Sequence, residues 1–298
     1  MSVKPRKRLK SRFKGMIYIA PWIFGFLTLQ LYPLLSSLYY SFTDFNILGT
    51  PTFIGIRNFQ DIFSIDPTFW VSVRVTFIFV LIVVPGRIIV GLIIALLLNS
   101  PMRMMNFYRT AYYLPSILGG SVAVAILWRF LFMQHGVINA ILGNFGISPI
   151  GFLSNPDIAL FTLSGLQLWQ FGAPMVLFLA AIRQVPVELY EAARIDGSGA
   201  VNRFFKITLP YITPIILFNV IMQMNNAFQE FTTAFVVTGG GPMNATLLYA
   251  LKLYNEAFAF FRMGYASALS WLMFLVIFTV TIILFKTSRH WVYYEDGR

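Results

Sequence analysis

Six stretches of this chain are apolar for about the 20 residues that cross a bilayer. They fall at about 16–38, 70–98, 110–132, 158–182, 211–235 and 265–286. No soluble core has room for so many fully apolar helices, and the composition agrees. The chain is 58% hydrophobic and 11% charged, against roughly 25% charged in soluble domains. Pro33, Pro85 and Pro174 lie inside these stretches, where packed membrane helices tolerate them. Turn chemistry marks the joints: Asn99-Ser100-Pro101, Ser154-Asn155-Pro156-Asp157 and Gly239-Gly240-Gly241-Pro242. The expected fold is all-α and polytopic, with about six transmembrane helices.

Basic residues set the orientation. Lys4, Arg6, Lys7, Arg8, Lys10, Arg12 and Lys14 crowd the head and precede an apolar run with no small-residue cleavage site. This run is read as a retained anchor with a cytoplasmic basic head, 1–15. The other cytoplasmic segments would carry Arg103 and Arg109, then Arg183, Arg194, Arg203 and Lys206, then Lys286, Arg289 and Arg298. Only Arg57, Lys252 and Arg262 fall in the outer loops. Both termini are thus expected in the cytoplasm. The net charge of +11 follows this loop pattern rather than a nucleic-acid-binding face. Arg74 and Arg129 can snorkel from helix ends. Arg87 is deeper, where an unshielded charge costs at least ~2.5–3.5 kcal/mol. It must face protein or water, in either a structural or a transport role.

Catalytic chemistry finds little support. With no cysteine and two distant histidines, His135 and His290, neither a metal site nor a catalytic residue is expected. There is no GxxxxGK[ST] run to cradle phosphates, so any ATP-driven step needs a partner. A secondary transporter would need inverted repeats and deep coupling carboxylates, and only Glu230 is a candidate. A membrane-embedded enzyme lacks a His/Asp cluster or serine elbow.

Polar residues inside apolar helices are informative because they are costly. Asn219, Gln223, Asn226 and Glu230 recur at helical spacing on one face, flanked by Asn225 and Gln229. In the preceding span Ser164, Gln167 and Gln170 recur likewise, beside Trp169. Amides bond sugar hydroxyls and an aromatic ring stacks on a sugar's apolar face. Equally, Asn and Gln bridge membrane helices, at around 0.6 kcal/mol each. Both readings stand on spacing alone.

The connection 183–210 is long for a helical bundle. Pro186 and Glu188 suit a helix start and Gly197 a stop, with strong helix formers between. This is a short amphipathic helix held between two spans. It suits a groove on a partner or the lipid surface.

The string Glu191 to Pro210, EAARIDGSGAVNRFFKITLP, resembles the signature loop of binding-protein-dependent ABC importer permeases. Its anchors Glu191, Ala192, Ala193, Gly197, Ile207, Leu209 and Pro210 stand at the family spacing. Leu31-Tyr32-Pro33, Ser41 to Phe45, Phe53-Ile54-Gly55, Asn58-Phe59, Phe107-Tyr108-Arg109, Leu114-Pro115, Thr238 to Pro242 and Gly264 to Ala268 extend the likeness. They are similar to the sugar-type, maltose-permease-like branch, without that relative's extra N-terminal helices and large outer domain.

The resemblance implies one permease domain over 1–298, with core helices in 70–286 and a cytoplasmic coupling loop at 183–210 between helices four and five. It implies a bacterial or archaeal inner membrane and a carbohydrate cargo, an oligosaccharide in the first instance or, alternatively, another polar solute such as a glycerol phosphodiester. It implies a second homologous permease, two ATPase subunits that bind ATP and Mg, and an extracytoplasmic solute-binding protein. No cofactor is expected on this chain and no nucleic acid among its partners. Glu191, Ala192, Ala193, Asp196 and Gly197 would form the ATPase-docking surface. Gln167, Trp169, Gln170, Asn219, Gln223, Asn225, Asn226, Gln229 and Glu230 would line the solute path.

Overall fold

The computed structural model describes residues 9–47, 49–100 and 103–293. Lys4, Arg6, Lys7, Arg8 and Arg298 lie outside them, as do the side chains of Lys10, Arg12 and Lys14. The chain divides into two compact units, the first ending at Ile65 and resuming over Asn255–Met273.

In the first unit α1, Leu9–Phe26, runs through one wide turn, Leu27–Leu31, into α2, Tyr32–Ser41. Pro33 has no N–H to donate and its ring crowds the carbonyl four residues back. The turn before it widens to an i→i+5 bond, Tyr32 N to Leu27 O, which relieves that crowding. The same device recurs before Pro210, where Leu209 N donates to Phe204 O. Two strands of two residues each, β1, Thr43–Asp44, and β2, Thr52–Phe53, pair antiparallel and lead to α3, Arg57–Ser64. Buried Asn58 holds this region by donating to Ser41 O and Thr43 O, each at 2.9 Å.

The second unit comprises Asp66–Tyr254 and the described residues from Phe274. Its axis is α4, Pro67–Leu98. Asp66 caps this helix, accepting from Thr68 N at 2.9 Å and Phe69 N at 3.2 Å, while Pro67 needs no acceptor in the first turn. There follow α5, Met105–Leu118; α6, Val122–Phe132; α7, Val137–Asn144; α8, Pro156–Trp169; and α9, Gly172–Ile182. Next come α10, Val187–Ile195; α11, Ala200–Arg203; α12, Leu209–Phe228; α13, Tyr249–Tyr254; and α14, Met263–Ser288, which starts in the first unit's Asn255–Met273 segment. Helix α4 packs against α9, α12 and α8. Ala95, Leu98, Met175, Phe178 and Ile212 form the core of that contact. Gly91 permits the approach of α9, since a Cβ there would lie 3.1 Å from Pro174 Cβ.

Among the described residues, five helical stretches are long and apolar enough to span: Tyr18–Ser41, Pro67–Leu98, Val122–Asn144, Ala200–Phe228 and Met263–Ser288. The pair α8 and α9, bent by 45°, makes a sixth if taken as one span. Twelve residues of α4 are buried, among them Phe79, Val83, Arg87, Gly91 and Ala95, which makes it the central helix of the second unit. The expected span 110–132 is interrupted. Gly119-Gly120 ends α5, and Ser121 caps α6 by accepting from Val124 N at 3.3 Å. The expected span 211–235 begins earlier, at Ala200, and ends at Phe228. Glu230 therefore lies beyond the helix instead of on its polar stripe. Arg74 and Arg129 are exposed, while Arg87 is only 7% exposed.

Helix α13 is tied to the start of α4 by a buried ion pair, Lys252 Nζ to Asp66 Oδ2 at 2.6 Å. Lys252 also donates to Thr68 Oγ1 at 2.9 Å. Lys252→Met leaves the Asp66 carboxylate without its cation and should cost about 3 kcal/mol. The thermal midpoint of the detergent-purified protein should fall, and Asp66→Asn added to it should recover part of the loss.

Candidate functional site

The bend between α8 and α9 opens the helical ladder in the middle of the second unit. Gln170 closes α8 in a non-helical conformation, and α9 restarts at Gly172. A helix end leaves carbonyls without intrahelical donors and carries negative dipole charge. Two side chains fill that need. Arg87 Nε donates to Gln167 O. Ser116 Oγ donates to Gln170 O at 2.9 Å and accepts from Ala173 N at 3.1 Å. Gly172 is bare because a Cβ would meet Ser116 Oγ and the Tyr112 carbonyl.

The rest of the guanidinium gathers three amides. Nη1 donates to Gln223 Oε1 at 2.9 Å, and Nη2 to Gln167 Oε1 and to Gln170 Oε1, the latter at 3.0 Å. Arginine has donors and no acceptor, so each amide atom facing it is the carbonyl oxygen. That choice turns the NH2 groups away. Gln167 Nε2 then donates to Glu230 Oε2 at 2.7 Å and Thr233 Oγ1 at 3.0 Å. Glu230 Oε1 accepts from Thr233 N at 2.8 Å, capping the turn that follows. Gln170 Nε2 donates to Gly119 O at 2.9 Å. One cation and one anion thus face each other through a glutamine relay, and their formal charges cancel.

Beside this cluster lies a pocket of about 410 Å³. Of the nine residues expected on the solute path, Gln167, Gln170, Gln223, Asn226, Gln229 and Glu230 line it. Trp169, Asn219 and Asn225 are not among its lining residues. Trp169 is 40% exposed. Asn219 is buried and donates within its own helix to Ile215 O at 3.0 Å, leaving its Oδ1 without a partner among the described residues. Asn225 accepts from Gln229 Nε2 at 2.5 Å. Arg87, whose role spacing left open, is the hub. Ser116, which also lines the pocket, gave no signal because it reads as ordinary helix content, and Pro174, another lining residue, was notable only as a tolerated in-span proline.

The connecting loop is built as its sequence suggests. Pro186 starts α10, Arg194 lies in its last turn, and Gly197 leaves it at φ +73°, a left-handed turn that glycine adopts freely. Tyr190 Oη and Thr208 Oγ1 are 2.8 Å apart, and Arg203 Nη1 donates to Ser198 O at 2.7 Å. These bonds brace α10 against the root of α12. Glu191, Ala192, Asp196 and Gly197 are exposed and Ala193 is half-buried. Ile195 is 87% exposed, so this apolar side chain has little cover among the described residues. Among the described residues no group of three His, Cys, Asp or Glu could hold a metal ion.

Bilayer-length helices around a buried polar cluster define a polytopic membrane protein with an internal polar pocket. Residues 102–292 match the family of binding-protein-dependent transport system inner membrane components, and the chain belongs to that family. It is 48% identical to the probable ABC transporter permease protein YesP of Bacillus subtilis (strain 168), over 98% of this chain and 96% of that one. It is 32% identical to the probable starch degradation products transport system permease protein AmyD of Thermoanaerobacterium thermosulfurigenes, over 94% and 95%. Its fold matches a bacterial alginate ABC transporter, crystallised with an alginate pentasaccharide-bound periplasmic protein. The TM-score there is 0.83 at 20% identity, over 95% of this chain and 96% of that one.

Gln167 both accepts from Arg87 and donates to Glu230. Gln167→Leu strips a hydrogen-bond partner from buried Arg87 and from half-buried Glu230, at an expected cost of about 3 kcal/mol. The purified protein's thermal midpoint should drop by several degrees; a wild-type midpoint would contradict the relay.

Proposed function

We propose that this chain is one permease subunit of an ATP-driven importer that takes up an oligosaccharide. The observation that carries this reading is the amide-lined, charge-balanced pocket among α4, α8, α9 and α12, in a chain whose family is binding-protein-dependent transport. The pocket offers hydrogen-bonding groups without a net charge, which suits a neutral polyhydroxylated solute. The relative's cargo of starch degradation products supports the same class. Gln167, Gln170, Gln223, Asn226, Gln229 and Glu230 are the residues that would meet the solute. Asn219, Asn225 and Trp169 would act around them, in packing or at other stages of passage.

In this reading residues 1–298 form one permease domain, with core helices in 70–286. The 183–210 loop lies in the cytoplasm, and both termini lie on that side of the inner membrane. Its helix α10 docks on an ATPase subunit through Glu191, Ala192, Ala193, Asp196 and Gly197. The two ATPases bind ATP and Mg and supply the energy. A second permease completes the translocation path, and an extracytoplasmic binding protein delivers the solute. The exposed Ile195 and the open surroundings of Gly197 support a partner surface on this face. A secondary transporter is the poorer account, because Glu230 is engaged by Gln167 and Thr233 instead of standing ready to bind a coupling ion.

Uptake by the assembled transporter should stop on ATP depletion and persist when ion gradients are collapsed. The reverse pattern would overturn the ATP-driven reading. Gly197→Asp should abolish uptake while the subunit still reaches the membrane: the strain of a side chain at φ +73° falls on the exposed end of α10, away from the packed helices, and a Cβ there meets no atom of the described residues within 4 Å. Normal uptake in that variant would remove the docking surface.

A further inference from the structure

We propose that Arg87 is a positioning residue that makes the wall of the pocket beside it a donor array, selecting solute oxygens that accept hydrogen bonds at that wall. The inference rests on the pocket being the solute path. It goes further by assigning the direction of the hydrogen bonds and the residue that sets it.

A free glutamine amide presents its oxygen or its NH2 with equal ease, since half a turn exchanges them. Here the choice is made by the guanidinium. Gln167, Gln170 and Gln223 each spend their oxygen on Arg87. Gln167 is then saturated, because Glu230 and Thr233 take its NH2. Gln170 gives one amide hydrogen to Gly119 O and keeps one. Gln223 lines the pocket, and among the described residues its NH2 makes no hydrogen bond. Four of the five guanidinium hydrogens are engaged, which leaves one on Nη1. The groups that remain unspent around Arg87 are therefore donors. Gly119 helps to hold this arrangement, since a Cβ there would occupy the space of the Gln170 amide.

Ring, glycosidic and hydroxyl oxygens all accept hydrogen bonds. The cation that turns the amides is itself offset by Glu230 through Gln167, so donor character is obtained without a net positive pocket.

The test uses the complete transporter in proteoliposomes, with its partner permease, ATPases and binding protein. The probes are radiolabelled malto-oligosaccharides of different lengths, and the one that the wild-type complex takes up fastest serves throughout. Gln223→Glu still offers Arg87 an oxygen but removes the NH2. It should raise KM about tenfold, the effect of one lost hydrogen bond, and lower Vmax by less. Arg87→Met frees the three amides and should raise KM at least as much, with Arg87→Lys recovering part of it. A wild-type KM in Gln223→Glu would overturn the proposal. So would an Arg87→Met complex that loses only Vmax or yield at unchanged KM. If Arg87→Met does not assemble, Gln223→Glu decides alone. A wild-type complex that takes up none of these probes would instead sink the saccharide reading of the pocket.

Discussion

A guanidinium inside a bilayer-length helix has to be answered by the protein around it, and much of the second unit is arranged as that answer. Arg87 is far from either end of α4, so it cannot reach the water at the membrane surface. Helix α8 breaks beside it and offers a carbonyl. Helices α8 and α12 bring glutamine oxygens to the other guanidinium nitrogens. The anion that balances the charge, Glu230, is reached through Gln167. In a medium without water, each of these groups would be costly alone. Together they form a connected network, and the pocket is the space left beside it.

The same network links packing to transport. Helices α4, α8 and α12 meet at Arg87, and the connection from α9 to α12 carries α10. Tyr190 and Arg203 brace that short helix near the root of α12, so a push on α10 has a direct mechanical route into the helix that carries Gln223 and Asn226. Under the docking role proposed for α10, this gives a physical basis for coupling a partner's movement to the walls of the pocket.

Much of this was legible in the sequence, because bilayer length and hydropathy are local properties. The spans around α4 and α14, and the start and stop of α10 at Pro186 and Gly197, could be read directly. Two boundaries were misjudged. Gly119-Gly120-Ser121 divides a stretch that hydropathy alone treats as continuous, and α12 stops at Phe228, before Glu230 can join its stripe. The helical spacing of Gln223 and Asn226 did place them on one face. The identity of their partner was beyond local reading. Arg87 meets Gln167 across 80 residues of chain and Gln223 across 136, and no periodicity reports such contacts. Asn219 shares the spacing of that stripe, and among the described residues its amide bonds only Ile215 O of its own helix.

The natural absence of cysteine makes the central claim directly accessible, because a single introduced thiol is the only one on the chain. Asn226→Cys places it on the pocket wall. In the assembled transporter, this thiol should react with a small membrane-impermeant thiol reagent, and transported saccharide should slow that reaction. A thiol that stays unreactive through every stage of the ATP cycle, or reacts at one rate with and without solute, would show that the space beside Arg87 is not the path.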